Sequence, residues 1–360
     1  MKSIIKLNGK VIDFPELLTA EILIHKSNFE KEFVESIQRW KSSDDSFTFS
    51  TSGSTGLPKT ICFSRNQLKA SAHLSIDALQ LKPQQTSLIC LDTRLIAGKM
   101  MVIRSLENSM NIIAVEPSAD PLKEISMDEQ IDFAAFVPYQ LQAILESPLS
   151  TAKLNKIKCV IIGGAPLDER ARLKLESLNC NVYATYGMTE TITHIALQKL
   201  NGLGKQDYFK ALKSVSLSVD HRQCLVIEVP HLPEKVITND VIEFIDKDTF
   251  RWIGRFDNVI NSGGVKVIPE KVEANILLVF KKLDINNRFF LAGVKDAKLG
   301  TKLVLVMEGA TPHTETAIID ELKKSLSKYE VPKAIFFVPN FIETQTQKIN
   351  RTDTLKLVEE

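Results

Sequence analysis

The 360-residue chain carries 45 basic and 44 acidic side chains, a formal charge of +1, with 44% hydrophobic and 25% charged residues. That balance matches globular usage and argues against a disordered or collagen-like chain and against a generalised nucleic-acid surface, which needs an excess of positive charge. Apolar runs such as 134–137 and 159–162 fall far short of the roughly 18 to 20 residues that a membrane-spanning helix needs. The start, Met1-Lys2-Ser3-Ile4-Ile5-Lys6, lacks a sustained apolar stretch and a small-residue cleavage site, so a cytoplasmic location without integral membrane contact is expected.

In chain order, β-branched runs at 87–91, 111–115, 131–137, 158–162 and 181–185 alternate with helical patterns. This rhythm predicts a mostly parallel sheet covered by helices. Between two of these runs, Leu167, Ala171, Leu175 and Leu178 stand near helical spacing among charged residues, which predicts a surface helix over 168–178 with one buried stripe. Short strand candidates at 224–229, 236–238, 241–245 and 250–253 follow without helices between them, as in an antiparallel subdomain. After Arg255 the pattern changes again: a helix over 269–280, a strand pair at 289–294 and 303–307, a helix over 315–327 and a strand at 334–338. The expected fold class is therefore α/β, with a large N-terminal domain (1–256) and a small α+β C-terminal domain (257–360) of common size. Cys62, Cys90, Cys159, Cys180 and Cys224 are odd in number and widely spaced, and read as reduced core thiols. No HExxH, short histidine pair or CxxC marks a transition-metal site.

The segment from Ser50 to Lys59 offers five hydroxyls, two glycines and a lysine. Gly53 and Gly56 let the backbone approach an anion, Thr51, Ser52, Ser54 and Thr55 donate further hydrogen bonds, and Lys59 brings a movable charge. The glycine spacing does not fit the Walker A pattern. A polyphosphate loop and a flexible surface turn remain the two readings of this composition alone.

Further segments in the same order resemble the adenylate-forming superfamily, which includes acyl-CoA synthetases, peptide-synthetase adenylation domains and luciferases. The loop resembles that superfamily's phosphate loop, and Tyr183-Ala184-Thr185-Tyr186-Gly187-Met188-Thr189-Glu190-Thr191 resembles its YGxTE signature. By this resemblance Tyr186 and Gly187 adjoin the nucleotide, Thr189 contacts the AMP phosphate, and Glu190 helps to hold Mg²⁺, a hard cation suited to a carboxylate beside phosphates. Gly163-Gly164-Ala165-Pro166 resembles the turn that lines the adenine and acyl pockets, which assigns Gly164 and Ala165 to the nucleotide. Thr238-Asn239-Asp240 resembles the TGD segment, whose aspartate takes the ribose hydroxyls; asparagine replaces the glycine and also tolerates a left-handed backbone.

The run from Gly254 to Lys266 resembles the GRxD hinge and the glycine-rich loop behind it. Arg255 then reaches the nucleotide, Asp257 is the pivot, and Gly264 lies on the CoA path, which a side chain there should obstruct. Gln345-Thr346-Gln347-Lys348-Ile349-Asn350-Arg351 resembles the C-terminal motif that usually reads GKIxR, with Lys348 as the adenylation lysine and Gln347 in place of glycine. The resemblance covers about residues 49–351 and leaves about fifty residues ahead of the loop, so an N-terminal subdomain is expected to be missing or reduced.

The resemblance implies two half-reactions at one site. A carboxylate attacks the α-phosphate of Mg·ATP to give an acyl-adenylate and pyrophosphate, and the thiol of CoA then displaces AMP. Charge stabilisation and positioning supply the catalysis, and rotation about Asp257 exchanges Lys348 for Gly264 between steps. The segments 95–104 and 193–197 resemble those of 2-succinylbenzoate:CoA ligases of menaquinone biosynthesis. Lys99, Arg104 and His194 become candidate anchors for the acid's second carboxylate, with Met100, Met101 and Ile195 as an apolar lining for its ring. The alternatives are a CoA ligase for another aryl or short aliphatic acid, and a catalytically silent AMP- or acyl-adenylate-binding homologue. The expected partners are a small carboxylic acid, ATP and CoA, without nucleic acid; the sequence leaves the oligomeric state open.

Overall fold

In a computed structural model of the chain, residues 3–19, 27–50, 60–165, 167, 169–297, 300–343 and 349–359 are described. Near the start, β1 (Ile5–Leu7) and β2 (Lys10–Ile12) form an antiparallel hairpin across Asn8 and Gly9, whose φ angles are 45° and 82°. Asn-Gly favours such a turn because both central residues must take positive φ. After α1 (Phe14–Thr19), Ser27 caps α2 (Asn28–Lys41), which buries Phe29, Phe33, Ile37 and Trp40 at helical spacing. Strands β3 (Ser46–Ser50) and β4 (Thr60–Ser64) pair antiparallel and bury Phe47, Phe49 and Phe63. A Ser64–Gln67 capping box then starts α3 (Arg65–Leu79).

The central run is β5 (Thr86–Ile89), α4 (Ile96–Glu107), β6 (Asn111–Ala114), β7 (Phe133–Phe136), α5 (Pro138–Glu146), α6 (Pro148–Leu154), β8 (Cys159–Ile162), α7 (Glu169–Leu175) and β9 (Asn181–Gly187). The strands are parallel in the order β6-β5-β7-β8-β9, as the alternating pattern predicts, and β1 adds parallel to β6. Successive residues face opposite sides, which is why β7 and β8, buried at every position, are apolar throughout. Phe133 and Ala135 join Ile37, Leu68 and Ile103 in one core, whereas Ala134 and Phe136 join Leu141, Ile144 and Leu175 in the other.

At β9 the sheet turns antiparallel through β10 (His194–Lys199) and β11 (Phe209–Ala211). Then come β12 (Ser216–Val219), β13 (Cys224–Glu228), β14 (Val236–Asp246) and β15 (Thr249–Arg255), the expected helix-free subdomain. The hairpin β16 (Ile260–Ser262) and β17 (Val265–Val267) leads into α8 (Pro269–Lys282), β18 (Phe289–Asp296), β19 (Gly300–Glu308), α9 (Glu315–Lys323), β20 (Ile335–Val338) and α10 (Arg351–Glu359). β18 pairs antiparallel with β19, and β20 lies parallel to β19. Leu291, Leu303, Leu305 and Met307 pack with Val272, Ile276 and Phe280 of α8, while Phe290, Val304 and Val306 lie in a separate cluster with Phe341.

The chain clusters into two compact units that do not follow chain order. One contains Met1–Leu217, Ile227–Val236 and Phe244–Phe250; the other contains Ser218–Val226, Ile237–Glu243 and Arg251–Glu360.

Several local expectations are corrected. The candidates at 236–238 and 241–245 form the single strand β14, because Asn239 and Asp240 find side-chain partners and do not break it. Asn239 is thus extended and does not stand in for a left-handed glycine. Helix α7 ends at Leu175, and Leu178 is reached through a tighter turn in which its N–H donates to the Leu175 carbonyl at 3.1 Å. α9 likewise stops at Lys323, short of the predicted end. Cys90, Cys159, Cys180 and Cys224 are buried free thiols, whereas Cys62 is exposed.

Candidate functional site

Parallel strands β8 and β9 end side by side, with Ile162 opposite Ala184, and in open α/β sheets ligands bind outside such carboxyl ends. Behind β8, Gly164 takes φ 91° and, with Ala165, is exposed. Gly163 is held close, since a Cβ there would overlap the Thr185 hydroxyl, which donates to the Ile162 carbonyl at 3.1 Å.

Behind β9 the chain makes a short 3₁₀ turn over Thr189–Thr191. The Thr191 hydroxyl is buried under it, 3.0 Å from both the Met188 N–H and carbonyl and 2.8 Å from the Thr193 carbonyl. Ile192 comes next with φ 67° and ψ −60°, and the Thr193 N–H donates to the Thr191 carbonyl at 2.8 Å. These angles and that bond define a γ-turn with positive φ, a strained geometry that a β-branched residue rarely adopts. Ile192 is 1% exposed, so the surrounding core holds it there. The turn brings the Thr193 carbonyl over Gly187: a Cβ on Gly187 would overlap that oxygen and lie 2.5 Å from His194 Cα. The glycine of the signature is therefore a packing requirement, and the β9–β10 register shifts at this point. The outcome is a rigid turn that leaves Thr189 half-buried and Glu190 exposed. Tyr186 is buried, its ring packed edge-on to Phe250 at 5.2 Å and against Phe209 at 5.7 Å.

Of the candidate acid anchors, the structure brings Arg104 and His194 together and sets Lys99 apart. Arg104 is 2% exposed; its Nη2 donates to Thr193 Oγ1 at 3.2 Å, and Thr193 Oγ1 lies 3.4 Å from His194 Nδ1. Among the described residues no acidic group pairs with Arg104, and neither Arg104 Nε nor His194 Nε2 has a hydrogen-bond partner. Burial lowers the arginine to about 10, and burial followed by the nearby Arg104 lowers His194 to about 3, so this imidazole is neutral at neutral pH. Lys99 is half-buried and depressed by burial and by Arg39, and its other charged neighbours are Glu32, Glu35 and Asp92. Met100 (0% exposed), Met101 (1%) and Ile195 (2%) are buried as deeply as Arg104.

In the other unit, Asp240 on β14 is buried; its Oδ1 accepts from Trp252 Nε1 at 3.2 Å, and its N–H donates to Thr238 Oγ1 at 3.0 Å. Arg255 Nη2 donates to Asp257 Oδ2 at 2.7 Å. Gly264 is exposed in the β16–β17 turn with φ 84°, and a Cβ would meet nothing within 4 Å. Thr51, Ser52, Gly53, Ser54, Thr55, Gly56, Lys59 and Lys348 lie outside the described residues. Their flanks are described: Ser50 pairs with Thr60 across β3–β4, and Glu343 bridges Ile349.

Among the described residues no group of three or more His, Cys, Asp or Glu is arranged to hold a metal ion alone. Mg²⁺ needs only one or two carboxylates when substrate phosphates and water complete its shell, and the exposed Glu190 carboxylate suits that donor set. No helix among the described residues is long and apolar enough to cross a membrane. Sequence reasoning missed the strained Ile192, whose φ has no local signature, and Arg222, whose partners besides Asp220 are Thr238, Asn239 and Phe256, distant in sequence.

Residues 5–233 match the family described as AMP-binding enzyme. A solved acyl-CoA synthetase (AMP-forming)/AMP-acid ligase II-like protein from Dyadobacter fermentans is 39% identical, with a TM-score of 0.63 over 93% of this chain and 95% of that one. O-succinylbenzoate coenzyme A synthetase from Bacillus subtilis, solved with ATP and magnesium ion, shares the fold with a TM-score of 0.71 at 19% identity, over 86% of this chain and 69% of that one. A 2-succinylbenzoate–CoA ligase from Bacillus cereus is 25% identical, over 97% of this chain and 76% of the relative. With the fold of the adenylate-forming enzymes and a family match over most of its length, the chain belongs to the AMP-binding enzyme family.

Proposed function

We propose that the protein is an ATP-dependent, AMP-forming acid:CoA ligase whose acid carries a second carboxylate, 2-succinylbenzoate being the candidate. The acid's reacting carboxylate attacks the α-phosphate of ATP, the α–β phosphate bond breaks, and pyrophosphate leaves; the CoA thiolate then attacks the acyl carbon and AMP leaves. Thr189, on its rigid turn, binds the AMP phosphate. Glu190 would hold Mg²⁺, which when bound neutralises phosphate charge. Gly164, Ala165, Tyr186 and Gly187 border the nucleotide, Asp240 takes the ribose hydroxyls, and Arg255 reaches the nucleotide. The loop from Thr51 to Lys59 and Lys348 stabilise charge as the α-phosphate is attacked. With 1–256 and 257–360 taken as the two moving domains, Asp257 is the pivot that replaces Lys348 by Gly264 and its CoA path between half-reactions.

The observation that supports a dicarboxylate is the buried Arg104 cation with no acidic partner among the described residues, beside an unpartnered His194 Nε2. A buried charge is costly unless paired, and a ligand carboxylate would pair this one. Lys99 is a further candidate anchor from the same helix. The relatives named 2-succinylbenzoate–CoA ligase point to the same acid class.

AMP formation from Mg·ATP is expected to require both 2-succinylbenzoate and CoA for sustained turnover. AMP release with another aryl or short aliphatic acid, but none with 2-succinylbenzoate, would leave the ligase reading and remove the substrate. Nucleotide binding without AMP release from any acid in a panel would favour the silent binding homologue. Arg104→Ala should raise KM for the dicarboxylate at least about tenfold more than for a mono-acid analogue, the scale of one charge-assisted hydrogen bond of about 1.5–3 kcal/mol. Equal KM shifts, measured by AMP release in a variant shown to be folded, take Arg104 out of the acid site.

A further inference from the structure

The turn between β12 and β13 presents an arginine outside the nucleotide and acid contacts proposed above. Asp220 closes the turn, its Oδ1 accepting from the N–H groups of Arg222 at 2.8 Å and Cys224 at 3.1 Å. Arg222 then spends its guanidinium on several partners at once. Nε donates to Asp220 Oδ2 at 2.8 Å, Nη1 to Asn239 Oδ1 at 2.7 Å, and Nη2 to the Thr238 carbonyl at 3.0 Å. Its Cζ lies 5.3 Å from the centre of the Phe256 ring, within cation–π range.

Asn239 passes this anchorage on. Its Nδ2 donates to Asp257 Oδ2 at 3.2 Å, the same oxygen that accepts from Arg255. The chain of contacts therefore runs Asp220–Arg222–Asn239–Asp257–Arg255, and all of these residues belong to one compact unit. Each link uses a specific chemical property. A planar guanidinium serves an amide oxygen, a peptide carbonyl and a carboxylate simultaneously, which a lysine ammonium on a flexible stem does not reproduce. An asparagine amide accepts at one end and donates at the other, and a glycine, the residue of the TGD pattern, does neither.

We propose that Arg222 and Asn239 are positioning residues that brace the Asp257–Arg255 hinge pair and so set the balance between the two half-reaction geometries. The proposal rests on the ligase reading for its kinetic consequence, but not for the brace itself. The contact between Arg222 and Phe256 strengthens the case, because it ties the residue between Arg255 and Asp257 to the same side chain.

The test uses the whole 360-residue chain and the variants Asn239→Thr, Asn239→Gly and Arg222→Lys. Thr keeps strand propensity without the two-ended amide, Gly restores the motif residue, and Lys keeps the charge without the fork. Hydrogen exchange of the ligand-free protein is expected to rise about tenfold across residues 254–260 in every variant, with β19 unchanged, because local opening responds to lost hydrogen bonds. Unchanged exchange at 254–260 in folded variants overturns the brace, whatever the enzymatic activity.

The second measurement compares adenylation, followed as pyrophosphate release, with thioester formation from supplied acyl-adenylate. The ratio of these rates is expected to change at least about fivefold, beyond any shift in KM for ATP that a loosened Arg255 brings. An equal fall in both half-reactions, or a change confined to KM for ATP, shows a merely structural role and overturns the positioning proposal. If the unsubstituted protein adenylates no acid, the ligase reading fails, and the exchange result alone upholds or overturns the brace.

Discussion

Lys348→Ala is expected to lower acyl-adenylate formation by about 10²-fold or more, the scale of removing one focused electrostatic contact from a transition state. Thioester formation from supplied acyl-adenylate should survive. The asymmetry has its origin in charge: the first half-reaction brings a carboxylate against a polyphosphate, where an added cation matters most, whereas the second releases AMP to a thiol. Although Lys348 itself is outside the described residues, the chain just beyond it is firmly held. Asn350 N–H donates to the Ile342 carbonyl at 2.7 Å, and Arg351 makes two bonds of 2.9 Å to the Glu273 carboxylate. The arginine also lies over the Phe290 ring. A bidentate pair fixes direction as well as distance, so the chain at Arg351 is fixed. Separate measurement of the two half-reactions decides: if both fall equally, the assignment of Lys348 to adenylation and the domain alternation built on it are wrong.

Gly187→Ala should be nearly as damaging for a different reason. The added Cβ would overlap the Thr193 carbonyl oxygen and sit 2.5 Å from His194 Cα, both backbone atoms that no rotamer change can move. Relief requires displacing the γ-turn at Ile192, which the core holds in a strained conformation. Overpacking of this kind costs about 1–3 kcal/mol and occasionally more. Because Thr189 and Glu190 ride on the same turn, a displacement of about 1 Å should also lower adenylation by about 10²-fold. Urea denaturation and AMP release measure the two effects. Gly202→Ala is the control: Gly202 also has positive φ, at 66°, but a Cβ there meets nothing within 4 Å. Strain without collision should leave activity intact. Wild-type stability and turnover in Gly187→Ala would mean that the Thr193 carbonyl does not press on Gly187.

The parts of the fold that were legible share one property: their signal is local. Alternation of β-branched strand runs with amphipathic helices predicted that β5 to β9 are mostly parallel, because parallel neighbours must be joined by crossovers. Strand boundaries failed where side chains rescued an unfavourable residue, as at Asn239 and Asp240 inside β14. The Thr189–Glu190 turn was recognised as a motif, yet nothing in its letters announces that Ile192 must take positive φ to put the Thr193 carbonyl over Gly187.

By itself, then, the sequence determined the layered α/β class, the helix-free subdomain, the α+β end of the chain and, through its ordered motifs, membership in the AMP-binding enzyme family. Periodicity and motif order survive in one dimension. Tertiary structure alone decided that Arg104 meets Thr193 across 89 positions and lacks an acidic partner among the described residues, and that Lys99 on the same helix does not join it. It also decided that Met100 and Met101 are buried with Arg104, and that Arg222 reaches Asn239 beside Asp257. Each of these depends on which helix face is pressed to the sheet and on which strand ends fall beside one another. Such facts arise from packing between distant segments, and no local pattern encodes them.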